Sequence, residues 1–321
     1  MTLDVETVID RRRLRRKITT WRVLAVVAAL LAVGFLISAN DGATGFLAPK
    51  QIARVSFTGT ILEDRAQLKM LDDLAKADNV EAVVVYVNSP GGTTTGGEAI
   101  YESLRRIAET KPVVAQFGTV AASAGYIVGL ASDHIVARGN TITGSVGVIV
   151  QWPQVTELLE KIGVEMKTVK SGVLKAEPSP FSVASPEALQ ATEEMIEDSF
   201  SWFRNLVETR RGINISDIPG LREGRIFSGR QAKGHRLVDQ IGGEREVRAW
   251  LETQRGIEAD LKIVDWRPAD PGAWGFSAMA AGIARSIAVG GAAGFAEALT
   301  SAGNSLLSLD GLVSVWHPRE S

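Results

Sequence analysis

Two apolar runs in this chain each lead into a cluster of small residues, and that pattern constrains the fold more than any other feature. Ala82-Val83-Val84-Val85-Tyr86-Val87 is followed by Asn88-Ser89-Pro90-Gly91-Gly92. Val113-Val114-Ala115-Gln116-Phe117 is followed, a few residues on, by Ala121-Ala122-Ser123-Ala124-Gly125-Tyr126. A short unbroken apolar run is the pattern of a strand covered on both faces. Glycines at a strand end free backbone N–H groups to face a ligand. A serine between alanines at the start of a helix presents its hydroxyl with nothing bulky around it. Together the two segments read as an oxyanion hole and a nucleophile, which is the equipment of acyl transfer, most simply peptide hydrolysis.

The intervening sequence alternates strand and helix patterns. Strands are expected at Gln51–Ile61, Ala82–Val87, Val113–Phe117, Ile135–Ala137, Thr141–Val150, Glu165–Val169 and Leu261–Trp266. Helices are expected at Arg65–Ala77, Gly96–Glu109, Ser123–Leu130, Val155–Lys161, Pro186–Arg211, Ser228–Leu237 and Glu244–Thr253. Such alternation with short links predicts an α/β fold of right-handed βαβ units around a mostly parallel sheet. Sites in such sheets gather at the carboxyl ends of strands, where both small-residue segments fall. The long helix Pro186–Arg211 carries an apolar stripe that suits an arm, an oligomer contact or packing on its own domain. No internal repeat is visible.

The net charge of −2 hides an asymmetry. Residues 1–22 hold seven basic residues and three acidic ones, which leaves 28 basic and 34 acidic residues in the rest. An acidic body argues against nucleic-acid binding. Directly after the basic cluster, Val23 to Ala39 carries no charge. With Trp21 and Arg22 at the interface, it is just long enough for a bilayer core of about 30 Å. The positive-inside rule then keeps Arg11–Lys17 in the cytoplasm and sends the body across the membrane. A cleavable signal peptide is the alternative, disfavoured by the long basic region before the apolar run. The expected organisation is a basic cytoplasmic segment at 1–20, a transmembrane anchor at 21–39, a linker at 40–50, a catalytic domain at 51–266 and an Ala/Gly-rich tail at 267–321. In the tail, Arg285 near the middle of Gly275–Leu299 favours a small-residue packing helix over a second span.

A serine attacks a carbonyl only if a base takes its proton. There are no cysteines, which excludes thiolate nucleophiles and Cys-based metal sites. The three histidines, His134, His235 and His317, read as surface or turn residues, and nothing places one beside Ser123. Asp133 beside His134 invites a triad, but neighbours on a strand point to opposite faces. The remaining base is a lysine, which has to be neutral at working pH. Lys161, Lys167, Lys170 and Lys175 are candidates, and spacing alone does not choose between them.

Four motifs in order carry a resemblance. They are Asn88-Ser89-Pro90-Gly91-Gly92, Ala121-Ala122-Ser123-Ala124-Gly125-Tyr126, Thr143-Gly144-Ser145-Val146-Gly147-Val148 and Lys170-Ser171-Gly172-Val173-Leu174-Lys175. Arg225-Ile226-Phe227-Ser228-Gly229-Arg230-Gln231-Ala232, then Leu237-Val238-Asp239 and Gly242-Gly243, follow downstream. From Gln51 to Trp266 the chain resembles the signal peptide peptidase A family in its short, membrane-anchored form, the Ser/Lys-dyad serine peptidases. The resemblance implies a Clp protease/crotonase-like fold with repeated ββα units, behind one N-terminal transmembrane helix. It implies Ser123 as nucleophile, Lys175 as general base and Ser145 as the hydroxyl that orients the lysine. It implies the Gly92 N–H as main oxyanion donor, with Gly91 and the Ala124 N–H as helpers. The family usually has Gly where this chain has Ala124, and the extra methyl could tighten the site.

The same resemblance implies no cofactor and no metal. Its substrates would be cleaved signal peptides and unfolded polypeptides. The chain would be a single-pass protein of the inner or plasma membrane with an extracytoplasmic, periplasmic catalytic domain. It would form a ring-shaped homo-oligomer, such as an octamer, with sites shared between neighbours. Two other readings compete: a crotonase-like acyl-CoA enzyme, and a non-catalytic membrane scaffold with a degenerate peptidase domain.

Overall fold

The computed structural model describes residues 21–29 and 49–268. Residues 21–29 are helical and exposed, and among the described residues no helix is long and apolar enough to cross a membrane. Residues 1–20 and 30–39, most of the expected linker and the expected tail from 269 on lie outside the described residues.

The domain from residue 49 to residue 268 is built on one eight-stranded sheet. In chain order its elements are β1 (Gln51–Ile61), α1 (Arg65–Ala75), β2 (Val80–Gly92), α2 (Thr94–Ala108), β3 (Val113–Ala122), α3 (Ala124–Leu130), β4 (His134–Ala137) and β5 (Ile142–Gly144). Then follow α4 (Thr156–Lys161), α5 (Pro186–Arg211), a 3₁₀ turn (Ile215–Asp217), β6 (Ile226–Ser228), α6 (Gly229–Gly234), β7 (Gln240–Ile241), α7 (Glu244–Arg255) and β8 (Lys262–Trp266). The main path runs β6-β5-β3-β2-β1-β8, with β4 between β3 and β7. Every pairing is parallel except β5 with β6. The expected α/β class and mostly parallel sheet are both present.

The apolar run in β2 explains its central place. Val83, Val85 and Val87 face one side and pack with α1, α2 and α3. Ala82 and Val84 face the other and pack with Val247 and Leu251 of α7. Each fully buried Val contributes about 1.5–3 kcal/mol over an exposed one, so a strand covered on both faces is held strongly.

Local signals set the ends of α5. Ser185 accepts the Ala188 N–H at 3.2 Å, Pro186 occupies the first turn, and Gly212 closes the helix at φ 60°. These are the start and stop signals of a helix, and the sequence-based bounds coincide with the observed ones.

Two expectations fail. The strand expected over Thr141–Val150 is limited to Ile142–Gly144, because Gly144 (φ 88°) and Ser145 (φ 53°) turn the chain into left-handed backbone. Glu165–Val169 is not a strand: it pairs with nothing in the domain and is exposed throughout. An extended segment without a ladder partner leaves its N–H and C=O groups to water.

Candidate active site

Strand β3 carries the serine to its place. Its first half, Val114–Phe117, pairs with β4, and its last residues, Val120–Ala122, pair with β5. Against β2 the register jumps from Val87↔Phe117 to Ser89↔Ala121, so β3 carries two extra residues there. The Asn88 side chain closes this bulge by accepting the N–H groups of Thr119 and Val120 at 3.1 and 3.2 Å. Bulges beside active sites re-aim the chain that follows. Sequence reasoning missed Asn88, although an Asn at a strand end is a common acceptor for stray backbone donors.

Ser123 caps the next helix, α3, with φ 53° and ψ −123°, a conformation that costs a non-glycine residue about 1–3 kcal/mol. Its N–H donates to the Gly144 carbonyl at 3.0 Å. Its own carbonyl accepts the Tyr126 and Ile127 N–H groups at 2.8 and 3.0 Å. Tyr126 is fully buried and donates its hydroxyl to the Leu237 carbonyl at 2.8 Å, which ties the helix to the body. Strain of this kind persists only where the surroundings over-determine it.

Gly92, Ser123, Ala124 and Ser145 line one cleft of about 750 Å³ at the carboxyl end of the sheet. Ile127, Val148, Ile149, Ile196, Phe200 and Phe203 form its apolar wall, and Arg222 and Glu223 stand at its edge. Ser145 also has positive φ, and its N–H donates to the Arg225 carbonyl at 3.0 Å. At the end of β2, the Thr93 N–H donates to the Ile61 carbonyl at 2.9 Å. Successive N–H groups of an extended chain face opposite edges, so the Gly92 N–H faces away from β1.

The expectation for Gly91 is corrected. Its N–H donates to Ser89 Oγ at 3.1 Å and is not free for an oxyanion. The contribution of Gly91 is steric: with φ 130°, it lets the backbone lie against the Ser123 side chain. The methyl of Ala124, the departure from the family pattern, is accommodated by a second glycine. A Cβ on Gly97 would stand 3.3 Å from Ala124 Cβ, so the bare Gly97 leaves that methyl its room.

Lys175 is exposed on the loop before α5 and is not among the residues that line the cleft. Lys170 is paired with Glu177. The hydrogen bond from Lys170 holds the Glu177 carboxyl below its ordinary value, helped by the Ser179 N–H at 3.0 Å. The pairing occupies Lys170, whereas Lys175 has no ion-pair partner among the described residues.

None of the described histidines lines the cleft. His134 is not a surface residue: it stacks on Trp250 at 4.9 Å between ring centres and bonds Gln240 at 3.1 Å. His235 packs edge-on against Phe227. His317 lies outside the described residues. Asp133 accepts the Val113 N–H at 3.2 Å and faces Arg255 and Arg105, a structural role. Among the described residues, no group of three His, Asp or Glu side chains could hold a metal ion.

Comparison with known proteins places the chain in a family. The profile of Peptidase family S49 matches residues 105–258, and that of Clp protease matches residues 53–141. A Synechocystis protein named as a protease is 37% identical over 218 residues, covering 67% of this chain and 78% of the relative. An Enterococcus faecium protein named as signal peptide peptidase SppA is 32% identical, covering 68% of this chain and 67% of the relative. Protease 4 of Haemophilus influenzae is 31% identical over 72% of this chain, which spans only 39% of that longer protein. The chain thus belongs to Peptidase family S49 and is a serine protease of that family, related to the SppA and protease 4 proteins.

Proposed function

We propose that this chain is a membrane-anchored endopeptidase that degrades cleaved signal peptides and other unfolded polypeptides through a Ser123/Lys175 dyad. The placement of Ser123 carries this reading. Its hydroxyl sits on a strained helix cap, in a cleft that also holds the Gly92 peptide and Ser145.

In the first step Ser123 Oγ attacks the scissile carbonyl, and the Lys175 amine, acting as base, takes the hydroxyl proton. The negative oxygen of the tetrahedral intermediate is held by the Gly92 N–H, with the Ala124 N–H beside it. The intermediate collapses, the lysine returns the proton to the leaving amine, and an ester to Ser123 remains. Water, deprotonated by the same amine, then hydrolyses the ester. Ser145 orients the amine between these steps.

Lys175 reaches Ser123 from a neighbouring copy of the chain. Two observations support this: Lys175 lies outside the cleft of its own chain, and the segment that carries it exposes Val169, Val173 and Leu174. The apolar cleft wall suits apolar peptides. The uncharged run from Val23 to Ala39 behind a basic segment supports an anchor with its domain outside the cytoplasm.

A fluorophosphonate probe on the detergent-solubilised full chain tests the reading. The expected result is one adduct, mapped by mass spectrometry to Ser123, with loss of cleavage of a synthetic signal peptide. An adduct on another serine that abolishes cleavage would overturn it.

A further inference from the structure

We propose that the buried Ser89 hydroxyl is a positioning group for the oxyanion hole: it fixes the Gly91–Gly92 peptide plane and so aims the Gly92 N–H into the cleft. The inference rests on the reading of Gly92 as the oxyanion donor.

Ser89 is completely buried. Its Oγ donates to the Gly91 carbonyl at 3.2 Å and accepts the Gly91 N–H at 3.1 Å. The Gly91 carbonyl and the Gly92 N–H belong to one peptide group. That group is planar and trans, so its C=O and N–H point in opposite directions. A hydroxyl that holds the carbonyl therefore sets the direction of the N–H.

The control is needed because two successive glycines have the freest backbone in a protein. With φ 130° at Gly91, no side chain of the pair can hold the plane. From the far side the pairing with β1, Thr60 opposite Gly91 and Ile61 opposite Gly92, and the Thr93 N–H to the Ile61 carbonyl restrain the strand, and Ser89 adds a side-chain hold on the Gly91 carbonyl. Ser89 is itself locked in place: its carbonyl lies under the second residue of α3, where a Cβ on Gly125 would stand 2.9 Å away. Ser89 thereby ties the donor turn to the helix that starts at Ser123.

Both bonds of the hydroxyl stay within two residues of Ser89. Its loss removes no contact between distant elements, so a purely structural role would show in stability and not in the chemical step.

The test uses full-length protein in detergent, with kcat and KM for a fluorogenic peptide, Ki for a peptide aldehyde, and the melting temperature. The aldehyde forms a hemiacetal with the nucleophile, and its oxygen occupies the hole. Ser89→Ala is expected to lower kcat by about 10–100-fold, to raise Ki by a similar factor and to leave KM within about twofold. Ser89→Cys, which keeps a side-chain donor of the same branching but is larger and donates weakly, is expected to change kcat and Ki in the same direction by less, and it serves if the alanine variant does not fold. Wild-type kcat and Ki in the folded variants would overturn the proposal, whatever happens to the melting temperature. Ser123→Ala, run alongside, separates the two readings. If it is inactive while Ser89→Ala is normal, only the role of Ser89 fails. If it is active, the nucleophile assignment fails first.

Discussion

The backbone of Gly91 lies against the side chain of Ser123: a Cβ on Gly91 would stand 2.9 Å from Ser123 Cβ and 3.3 Å from its Oγ. With φ 130°, Gly91 also adopts a conformation that an alanine reaches only with strain. Gly91→Ala is therefore expected to push the serine hydroxyl off its line of attack. Peptidase activity should fall by about 100-fold or more while the protein stays folded, as circular dichroism would show.

The strain at Ser123 predicts a trade of stability against activity. Its φ of 53° with ψ −123° suits glycine. Ser123→Gly should abolish cleavage and still raise stability over Ser123→Ala by about 1 kcal/mol, the strain released less the glycine's extra unfolded-state entropy. Denaturant titration of the two variants checks this, and equal midpoints would remove strain from the account.

Acid stability should depend on Asp239. Burial alone would raise its carboxyl, but hydrogen bonds from Arg211 at 2.6 and 3.0 Å, the Arg211 charge and the Ile135 N–H hold it below its ordinary value of 3.8. A lowered carboxyl pKa gives stability that is complete above the unfolded value and is lost as pH falls through the folded one. Arg211→Met should cost about 3 kcal/mol at pH 7 and flatten the profile below pH 4. His134 adds a second component of the same sign. Burial lowers its pKa from 6.5, so stability should decline as pH falls below 6.5, and His134→Phe should remove that component.

A site shared between copies predicts complementation. Co-expression of the Ser123→Ala and Lys175→Ala chains should restore about a quarter of wild-type activity, since a random mixture pairs an intact serine with an intact lysine at one site in four. A dyad completed within one chain would give none. The ratio is read from activity per total chain in purified mixed oligomers.

The residues that line the cleft are legible in the sequence because they sit where strands end. The run Ala82–Val87 identified a strand covered on both faces, and Ser185, Pro186 and Gly212 marked the ends of α5 through their backbone chemistry. Gly92, Ser123 and Ser145 were marked by small neighbours. What stayed hidden depends on partners. Glu165–Val169 has residues that suit a strand, but a strand also needs a ladder, and no pattern encodes its neighbour. Spacing alone does not separate Lys170 from Lys175, and the pairing of Lys170 with Glu177 depends on a loop conformation that the residue pattern does not encode. His134 read as a surface residue because Trp250, its stacking partner, is far along the chain. The bond from the Gly91 N–H to Ser89 Oγ is a local turn that the motif does not reveal.

The central claim is a Ser123 nucleophile with Lys175 as its base. The most direct test measures cleavage of casein and of a signal-peptide mimic by the detergent-solubilised wild type, Ser123→Ala, Lys175→Ala and Lys170→Ala proteins. Wild type and Lys170→Ala should agree within about tenfold, since the Lys170 pair serves the loop and not the chemistry. Ser123→Ala and Lys175→Ala should each lose about 1,000-fold or more. A Ser123→Ala protein as active as wild type would contradict the account.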